Sequence, residues 1–248
     1  MVGRWGYLMK RILIFFLVCF MLCGCERRED KLIMVTEAGF APYEYYSDGK
    51  IVGVDVDIAK EIAREMGKKL VVKDVAFDSI ITEVKSGKSD IGAAGISYTE
   101  ERAKSVDFSI NYTESKQVVV VRKNSGILTV DNINGKKIAV QLGSIADMFV
   151  SEEYVNSTII RQKKYLAAIQ DLKDGKVDCV VMDELPAKAI LLENNDLKVL
   201  EEAVSEDAYG IIVDKGNTEL LDIINRVIKR LRDEEKIDEF IIHHSKNS

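Results

Sequence analysis

The sequence predicts an α/β protein built from two similar halves. Short apolar runs, typical of buried strands, alternate with segments whose apolar residues recur at helical spacing. The 248 residues are enough for two small domains of roughly 100 residues each. A segment near residue 84 also has a counterpart near residue 172, so that each half contains the same helix–turn–strand unit.

The predicted elements follow one another from residue 32 onwards. Gly67 is suited to end the first long helix, because glycine readily adopts the left-handed conformation that follows a helix. In chain order, the predicted elements are the strand Leu32–Val35, the helix Asp55–Met66, the strand Leu70–Val72, the helix Phe77–Val84, the strands Val118–Val121 and Lys136–Val140, and the helix Thr218–Leu231.

The internal repeat consists of Val84–Ala94 and Leu172–Met182, at an offset of 88 residues. In both copies a helix ends at the pattern Lys-x-Gly-Lys-x-Asp and leads into a buried strand. The pattern alone is also a common helix stop, but here the flanking apolar residues match as well. Ligands of open α/β sheets bind beyond the carboxyl ends of strands. Since the repeated strands end at Gly95 and Asp183, we expect these residues to line one cleft between the halves.

Residues 1–24 predict an export signal. Three basic residues precede the apolar run Ile12–Leu22, which at about eleven residues is shorter than the ~20 that a permanent membrane helix needs. The run ends in Leu-Cys-Gly-Cys, which resembles the lipobox of bacterial lipoproteins, with Cys25 as the lipidated first residue. The alternative is a plain secretory signal in which Cys25 is incidental. We expect an exported protein, lipid-anchored on the extracytoplasmic or periplasmic side, with residues 25–30 as its tether.

Composition excludes several kinds of partner. The formal net charge is -6, and loss of residues 1–24, which hold three basic residues and no acidic ones, makes the mature chain more acidic. Nucleic-acid binding requires a basic face, so we expect none. Of the four cysteines, only Cys179 remains once the signal is removed and Cys25 is lipidated. We therefore expect no disulfide within the mature chain, no metal site and no cofactor.

Five segments together resemble the polar amino-acid binding proteins of ABC importers, the solute-binding family 3. They are Thr36–Tyr43, Gly53–Asp57, Phe77–Ile81, Asp90–Arg102 and Val106–Ser109. The resemblance runs from about Lys31 to the C-terminus. It implies a two-lobe, periplasmic-binding-protein-like fold, in which each lobe is a mixed, mostly parallel sheet flanked by helices.

The resemblance also implies two crossings of the chain between the lobes. The first lobe would comprise residues 31–121 plus 212–248, and the second residues 122–211. Such a protein is a monomer that captures a free amino acid by closing its lobes and presents the closed form to an ABC permease in the membrane.

A captured amino acid needs partners for its carboxylate and its ammonium, because both lose water on burial. By resemblance, Arg102 is the carboxylate clamp, since a guanidinium can donate two parallel hydrogen bonds. Asp183 would accept from the ammonium, together with the Ser97 hydroxyl. The further backbone contributors are the carbonyl of Ala94 or Gly95 to the ammonium, and N–H groups near Ser97 and at Ser144 and Ile145 to the carboxylate.

Two of these roles have ordinary structural alternatives. Arg102 could form a surface ion pair, because Glu100, Glu101 and Asp107 are close in sequence. Asp183 could instead cap the helix that begins at Glu184.

By the same resemblance, Phe40 and Phe77 would be aromatic walls around the ligand side chain, although phenylalanine is most often plain core. Glu37, Gln141 and Met182 would meet the side chain itself. An acidic group beside two aromatic rings suits a cation. Arginine is therefore favoured, followed by lysine, ornithine, histidine and glutamine, unless Glu37 points to solvent or is already paired.

Two other functions use the same fold. One is an enzyme resembling the cyclohexadienyl dehydratases, which would need a positioned acid or base in the cleft. The two histidines, His243 and His244, lie near the C-terminus, and no nucleophile elbow or phosphate loop occurs in the sequence, so we expect no catalysis. The other is a free-standing amino-acid sensor, which the sequence does not separate from a transport protein.

Overall fold

The computed structural model describes residues 28–247. The predicted signal peptide, Cys25 and the first residues of the predicted tether lie outside this range. Within it, no helix is both long and apolar enough to cross a membrane.

The first part of the described chain contains six strands and three helices, preceded by a short 3₁₀ turn. In chain order they are β1 (Lys31–Thr36), β2 (Tyr45–Ser47), β3 (Lys50–Val52), α1 (Val54–Glu65), β4 (Lys69–Asp74), α2 (Ile80–Lys85), β5 (Ile91–Ser97), α3 (Glu100–Ala103) and β6 (Val106–Phe108).

The rest of the described chain contains five strands and five helices. They are β7 (Thr113–Arg122), β8 (Lys137–Gln141), α4 (Ile145–Glu153), β9 (Thr158–Gln162), α5 (Tyr165–Lys173), β10 (Cys179–Asp183), α6 (Glu184–Leu192), β11 (Leu197–Asp214), α7 (Thr218–Asp233) and α8 (Lys236–Asn247). Each predicted strand and helix is present, with its ends shifted by a few residues. The long strand β11 was not predicted, because charged residues interrupt its first part and leave no continuous apolar run there.

Nine strands of the described residues form one sheet, and the strands at each end of this sheet run parallel to their neighbours. Strands β4, β1, β5, β11, β7, β10, β8 and β9 are successive neighbours, and β6 pairs with β11. β1 runs parallel to β4 and β5, and β8 runs parallel to β9 and β10. The antiparallel pair β7 and β11 joins these two groups. This arrangement of helices on a mostly parallel sheet is the α/β class that the sequence predicts.

The internal repeat is confirmed down to single hydrogen bonds. Lys88 and Ser89 donate their N–H groups to the carbonyl of Glu83, and Lys176 and Val177 donate theirs to the carbonyl of Asp171. Gly87 and Gly175 are both left-handed, with φ of 67° and 74°.

The aspartate that ends the repeated pattern has the same partner in both halves. Asp90 accepts from the N–H of Ile33 in β1 at 2.7 Å, and Asp178 accepts from the N–H of Lys137 in β8 at 2.8 Å. The spacing that the two copies share therefore reflects a turn that joins each helix to the first strand of its own half.

The strand pairing bears on where the chain passes between the halves. Gln117–Val121 of β7 pairs with β10 of the second half, and Tyr209–Gly210 of β11 pairs with β5 of the first. The predicted boundaries at 121/122 and 211/212 place these stretches in the opposite lobes. We propose Thr113–Lys116 and Ser205–Ala208 as the crossing segments.

Candidate ligand-binding site

A cavity of about 10 Å³ lies between the halves, near the ends of β5 and β10. A volume of this size has room for about one water molecule. Both strand ends that the repeat predicts, Gly95 and Asp183, line it. The complete lining is Glu37, Phe40, Glu44, Phe77, Ala94, Gly95, Ser97, Arg102, Gln117, Gln141, Ser144, Ile145, Tyr165, Asp183 and Asp207.

Arg102 is buried at the cavity, only 8% exposed, on the short helix α3. Its guanidinium donates to the carbonyl of Ser97 at 2.6 Å and to the carbonyl of Gly143, from the second half, at 2.8 Å. The ring of Phe77 lies 5.5 Å away, within the range of a cation–π contact. Burial lowers the pKa of Arg102 to about 10, although the charges of Asp207 and Asp183 oppose this.

Arg102 does not form the surface ion pair that its acidic neighbours suggest. Among the described residues, no carboxylate lies within 4 Å of its guanidinium nitrogens. Lys104 pairs with Glu101, and Lys215 pairs with Asp107. A buried guanidinium that is bound only to carbonyls can still attract an anion.

Asp183 faces the same cavity from the end of β10. Its Oδ1 accepts from the Ser115 hydroxyl at 2.8 Å, from the Gln117 amide at 2.7 Å and from the Tyr209 hydroxyl. Burial raises the pKa of Asp183, and the negative charge of Asp207 raises it further. Asp183 occupies the N-cap position of α6 without capping it, because its side chain accepts no hydrogen bond from that helix.

Asp207 is a second carboxylate at the cavity, which sequence reasoning missed. It lies in the crossing segment of β11, opposite Ser115. Its Oδ2 accepts from the hydroxyl of Ser97 at 2.5 Å, whereas its buried Oδ1 has no hydrogen-bond partner. Burial raises its pKa, and the bond from Ser97 opposes the rise. Ser97 thus reaches the cavity as predicted, with its proton directed to Asp207.

Aromatic rings from both halves form one wall of the cavity. Phe40 stacks on Tyr165 of the second half with ring centroids 5.7 Å apart, and on Tyr43 at 5.8 Å. Gly95 allows this close contact, because a Cβ built there would lie 2.8 Å from the Phe40 ring. Both predicted phenylalanines therefore line the cavity, and Tyr165 is an unpredicted third ring.

Ser144 begins α4 at the cavity, as the sequence predicts for an anion-attracting helix start. Its side chain caps the helix by accepting from the N–H of Asp147 at 3.1 Å. Gly143, just before it, is left-handed with φ of 75° and turns its carbonyl toward Arg102. The first residue of the helix, Ile145, also lines the cavity.

Glu37 is 1% exposed and already paired, which is the alternative that the sequence left open. The ammonium of Lys164 lies 3.0 Å from its Oε1, and the amide of Gln141 donates to its Oε2 at 3.2 Å. Both partners come from the second half. Burial raises the pKa of Glu37, and the contacts with Lys164 and Gln141 oppose the rise.

Two further carboxyl groups are buried at the cavity: Glu44 lines it, and Asp55 contacts the lining residue Gly95. Asp55 accepts from the Tyr112 hydroxyl at 2.6 Å and from the N–H of Gly95 at 2.9 Å. Burial raises the pKa of Asp55 to about 6. Burial and the charge of Asp55 raise the pKa of Glu44 well above its ordinary value.

Met182 is the one predicted site residue that does not line the cavity, and its expected contact with the ligand side chain is corrected here. It lies fully buried in the hydrophobic core with residues such as Val118 and Val180. Successive side chains of a strand point to opposite faces. Because Asp183 faces the cavity, the residue before it faces away.

The four lining residues that the sequence did not predict are Glu44, Gln117, Tyr165 and Asp207. The signal for Asp207 was weak, since it lies in a polar stretch. Lys164 was missed because nothing in the sequence places it opposite Glu37. The two histidines lie away from the cavity: His244 contacts Asp57 and Tyr45 on the first half, and His243 packs beside it.

Comparison with known families gives a match over residues 32–244 to the bacterial extracellular solute-binding proteins, family 3. The chain belongs to this family. The expectation from the five sequence segments is thereby confirmed, and it places the chain among proteins that act outside the cytoplasm.

Three relatives are named as binding proteins for different amino acids. The chain is 34% identical to the arginine-binding extracellular protein ArtP of Bacillus subtilis, over 87% of this chain and 86% of that one. It is 32% identical to a probable histidine-binding protein of Campylobacter jejuni, over 94% and 96%. It is also 32% identical to the glutamine-binding protein GlnH of the B. subtilis ABC transporter, over 78% and 72%.

Two solved structures share the fold. AbpA of Streptococcus pneumoniae, an amino-acid ABC transporter substrate-binding protein bound to L-arginine, superposes with a TM-score of 0.84 at 33% identity, covering 88% of this chain and 95% of that one. A mutant of ArgBP from T. maritima superposes with the same TM-score at 38% identity, over 88% and 96%. The predicted two-lobe fold is confirmed by this likeness.

Proposed function

We propose that this protein is the solute-binding subunit of an amino-acid ABC importer and binds one free L-amino acid between its halves. The observation that carries the proposal is the position of Arg102 and Asp183. One buried cation and one buried carboxylate face the same cavity from opposite halves, which matches the two charged groups common to all free amino acids.

Arg102 and the start of α4 favour the ligand carboxylate, and Asp183, with Asp207 beside it, favours the ammonium. Each ligand group would replace its lost water by a charged partner, which a buried ion requires. Contacts from both halves to one ligand also favour closure, because a ligand shifts a conformational equilibrium toward the state that it binds better.

Within this function we propose a preference for arginine, followed by lysine, ornithine, histidine and glutamine. Support comes from Glu37 and Gln141, which contact each other in the cavity lining, and from the rings of Phe40 and Phe77. One relative is named as an arginine-binding protein, and one of the solved structures is bound to L-arginine, which agrees with the preference. The charge of Glu37 alone is a weaker argument for a cationic ligand, because Glu37 already forms an ion pair with Lys164.

A thermal-shift screen tests the ligand class. The mature chain carrying Cys25→Ser would be heated with each of the twenty amino acids and with ornithine. A ligand that binds only the folded state raises the melting temperature. We expect the largest rise with arginine and no rise with non-amino-acid solutes such as sugars. A protein that no amino acid stabilises contradicts the proposed function.

Glu37→Gln separates the side-chain preference from the general function. We expect the substitution to weaken arginine binding far more than glutamine binding, because only arginine loses an ion pair. Calorimetric titration of both ligands measures the two effects. Equal losses for both would remove the basis of the arginine preference and leave amino-acid binding intact.

We also propose that the protein is a lipoprotein, anchored through Cys25 to the outer face of the cell membrane. The proposal depends on three features of the first 25 residues: the basic residues, the short apolar run after them, and the Leu-Cys-Gly-Cys sequence at the end.

A further inference from the structure

Lys164 connects the two halves beside the end of the cavity where the ligand side chain would lie. It precedes α5 in the second half, and its ammonium contacts two carboxylates of the first half. The distances are 3.0 Å to Oε1 of Glu37 and 3.5 Å to Oδ2 of Asp74. Lys164 is thus the protein's own cation at the carboxylate that would recognise a cationic ligand.

The two acceptors of Lys164 differ in their surroundings. The side chain of Glu37 is 2% exposed and lines the cavity, whereas that of Asp74 is 24% exposed. Asp74 is held in place by the N–H of Ala38 at 2.9 Å and by the Tyr46 hydroxyl at 3.2 Å. The Lys164 side chain is itself 42% exposed. It can therefore leave Glu37 for Asp74 and water without becoming a buried, unpaired charge.

The charges at this end of the cavity allow for one more cation. Glu37 and Asp74 are acidic and Lys164 is basic, which leaves a net charge of about -1 if all three are ionised. Burial and neighbouring carboxyl groups raise the pKa of Glu44 well above its ordinary value, which favours its uncharged form. Although burial alone would lower the pKa of Lys164, Glu37 and Asp74 raise it, so the lysine remains charged. A guanidinium or ammonium entering here would balance the group.

We propose that Lys164 is a built-in competitor for the cationic end of the ligand and thereby sets the selection between cationic and uncharged amino acids. With an uncharged side chain in the cavity, Lys164 stays on Glu37 and satisfies its charge. With a cationic side chain, the ligand takes Glu37 and Lys164 moves to Asp74. This inference rests on the proposed function, because it concerns the ligand of the same cavity.

An ordinary ion pair between the halves would not have these consequences. It would strengthen closure equally for every ligand, since the same contact forms in each complex. A competitor acts differently on ligands that differ only in charge. L-arginine and L-citrulline form such a pair, because citrulline has an uncharged urea group in place of the guanidinium.

The experiment measures the affinities of L-arginine and L-citrulline by calorimetry for the mature chain with Cys25→Ser. In Lys164→Met, arginine meets no competitor, whereas citrulline leaves Glu37 buried without a cation. We expect the ratio of arginine to citrulline affinity to rise about tenfold or more relative to the unsubstituted protein. In Asp74→Asn, Lys164 loses its second acceptor, and the ratio should fall by about threefold or more.

Lys163→Met is the matched control, because it removes the same charge from an exposed side chain one residue earlier. Its ratio should stay within about twofold of the unsubstituted protein. Lys164→Gln serves if circular dichroism shows that Lys164→Met does not fold. A ratio that does not change in the Lys164 variants, while both ligands still bind, overturns the inference alone. Failure of the unsubstituted protein to bind either ligand overturns the proposed function and, with it, the inference.

Discussion

Arg102 is held at the cavity by two carbonyl groups, one from each half of the molecule. The bond to Ser97 fixes its position on the first half, and the bond to Gly143 reaches the second. The sequence motif correctly predicted that this arginine is buried, in spite of the acidic residues around it. The sequence could not predict the contact with Gly143, because that contact depends on how the halves approach each other.

We expect Arg102→Ala to lower amino-acid affinity by some hundredfold to thousandfold, or about 3–5 kcal/mol. The ligand carboxylate would then be buried without its cation. Calorimetric titration measures the loss. Arg102→Lys is the matched variant, which keeps the charge and cannot donate two parallel bonds, so its affinity should be intermediate. Affinity within about threefold of the unsubstituted protein in Arg102→Ala would exclude the clamp role.

The protonation of Asp183 couples ligand binding to pH. Burial raises its pKa to about 7, well above its ordinary value of 3.8. Because the folded protein then binds this proton more tightly than the unfolded chain, the contribution of Asp183 to stability is greatest in acid and decreases as the pH rises from about 4 to about 7. A ligand ammonium prefers the ionised carboxylate, so affinity should rise over the same range.

Titration at several pH values between about 5 and 8 measures this rise. Repeating it in two buffers of different ionisation enthalpy detects the proton that binding releases. Citrulline is the better ligand here, because its side chain is uncharged and does not depend on the ionisation of Glu37. We expect Asp183→Asn to bind more weakly and with less dependence on pH. A flat profile in the unsubstituted protein would be inconsistent with the assigned role of Asp183.

At the scale of secondary structure, the end of β5 shapes the aromatic wall. Gly95 has φ of 54°, a left-handed conformation that side chains disfavour, and a Cβ there would press on Phe40. Phe40 cannot easily yield, since it is buried between Tyr165 and Tyr43. Glycine at this position of β5 therefore suits both the left-handed backbone and the ring that covers it.

Gly95→Ala should lower the free energy of unfolding by about 1–2 kcal/mol and weaken ligand binding by displacing Phe40. Chemical denaturation and calorimetric titration measure the two effects. Gly126→Ala is the control, because a Cβ at that glycine meets no atom within 4 Å. If the two substitutions have equal effects, the contact between Gly95 and Phe40 has no special importance.

The strands also show which residues of the site could be predicted from the sequence. Gly95 and Asp183 were found from a spacing of 88 residues, because the same turn fastens both repeated strands. Met182 was misplaced, although the alternation of side chains along a strand would have corrected it once Asp183 was assigned to the cavity. Asp207 was missed since its strand, β11, carries polar residues where two strands cross between the halves.

At the scale of the whole molecule, fold class and family followed from the sequence, whereas the contacts between the halves did not. Glu37 with Lys164 and Phe40 with Tyr165 each join residues more than a hundred positions apart. Local patterns predict each half, but only the relative position of the halves brings these pairs together. The preference for one amino acid depends on such pairs and is the least predictable property.

The proposed attachment to the membrane also concerns the whole molecule. We expect cells expressing the native chain to retain it in the membrane fraction and to label it with a radioactive fatty acid. The Cys25→Ser form should lose the label and leave the membrane fraction, because a single signal peptide removed by cleavage leaves no anchor. Retention of the label in Cys25→Ser would contradict lipidation at this cysteine.

The paired crossing strands constrain how the halves can move. Within the two proposed crossing segments, Glu114–Lys116 pairs with Glu206–Ala208, so the two passages form one ribbon rather than two independent links. A ribbon can bend and twist, but sliding one half past the other would break its ladder. If the halves open to admit a ligand, we therefore expect them to swing apart and return in the same register. Amide hydrogen exchange in the two segments should accordingly speed up or slow down together whenever the balance between open and closed forms is changed.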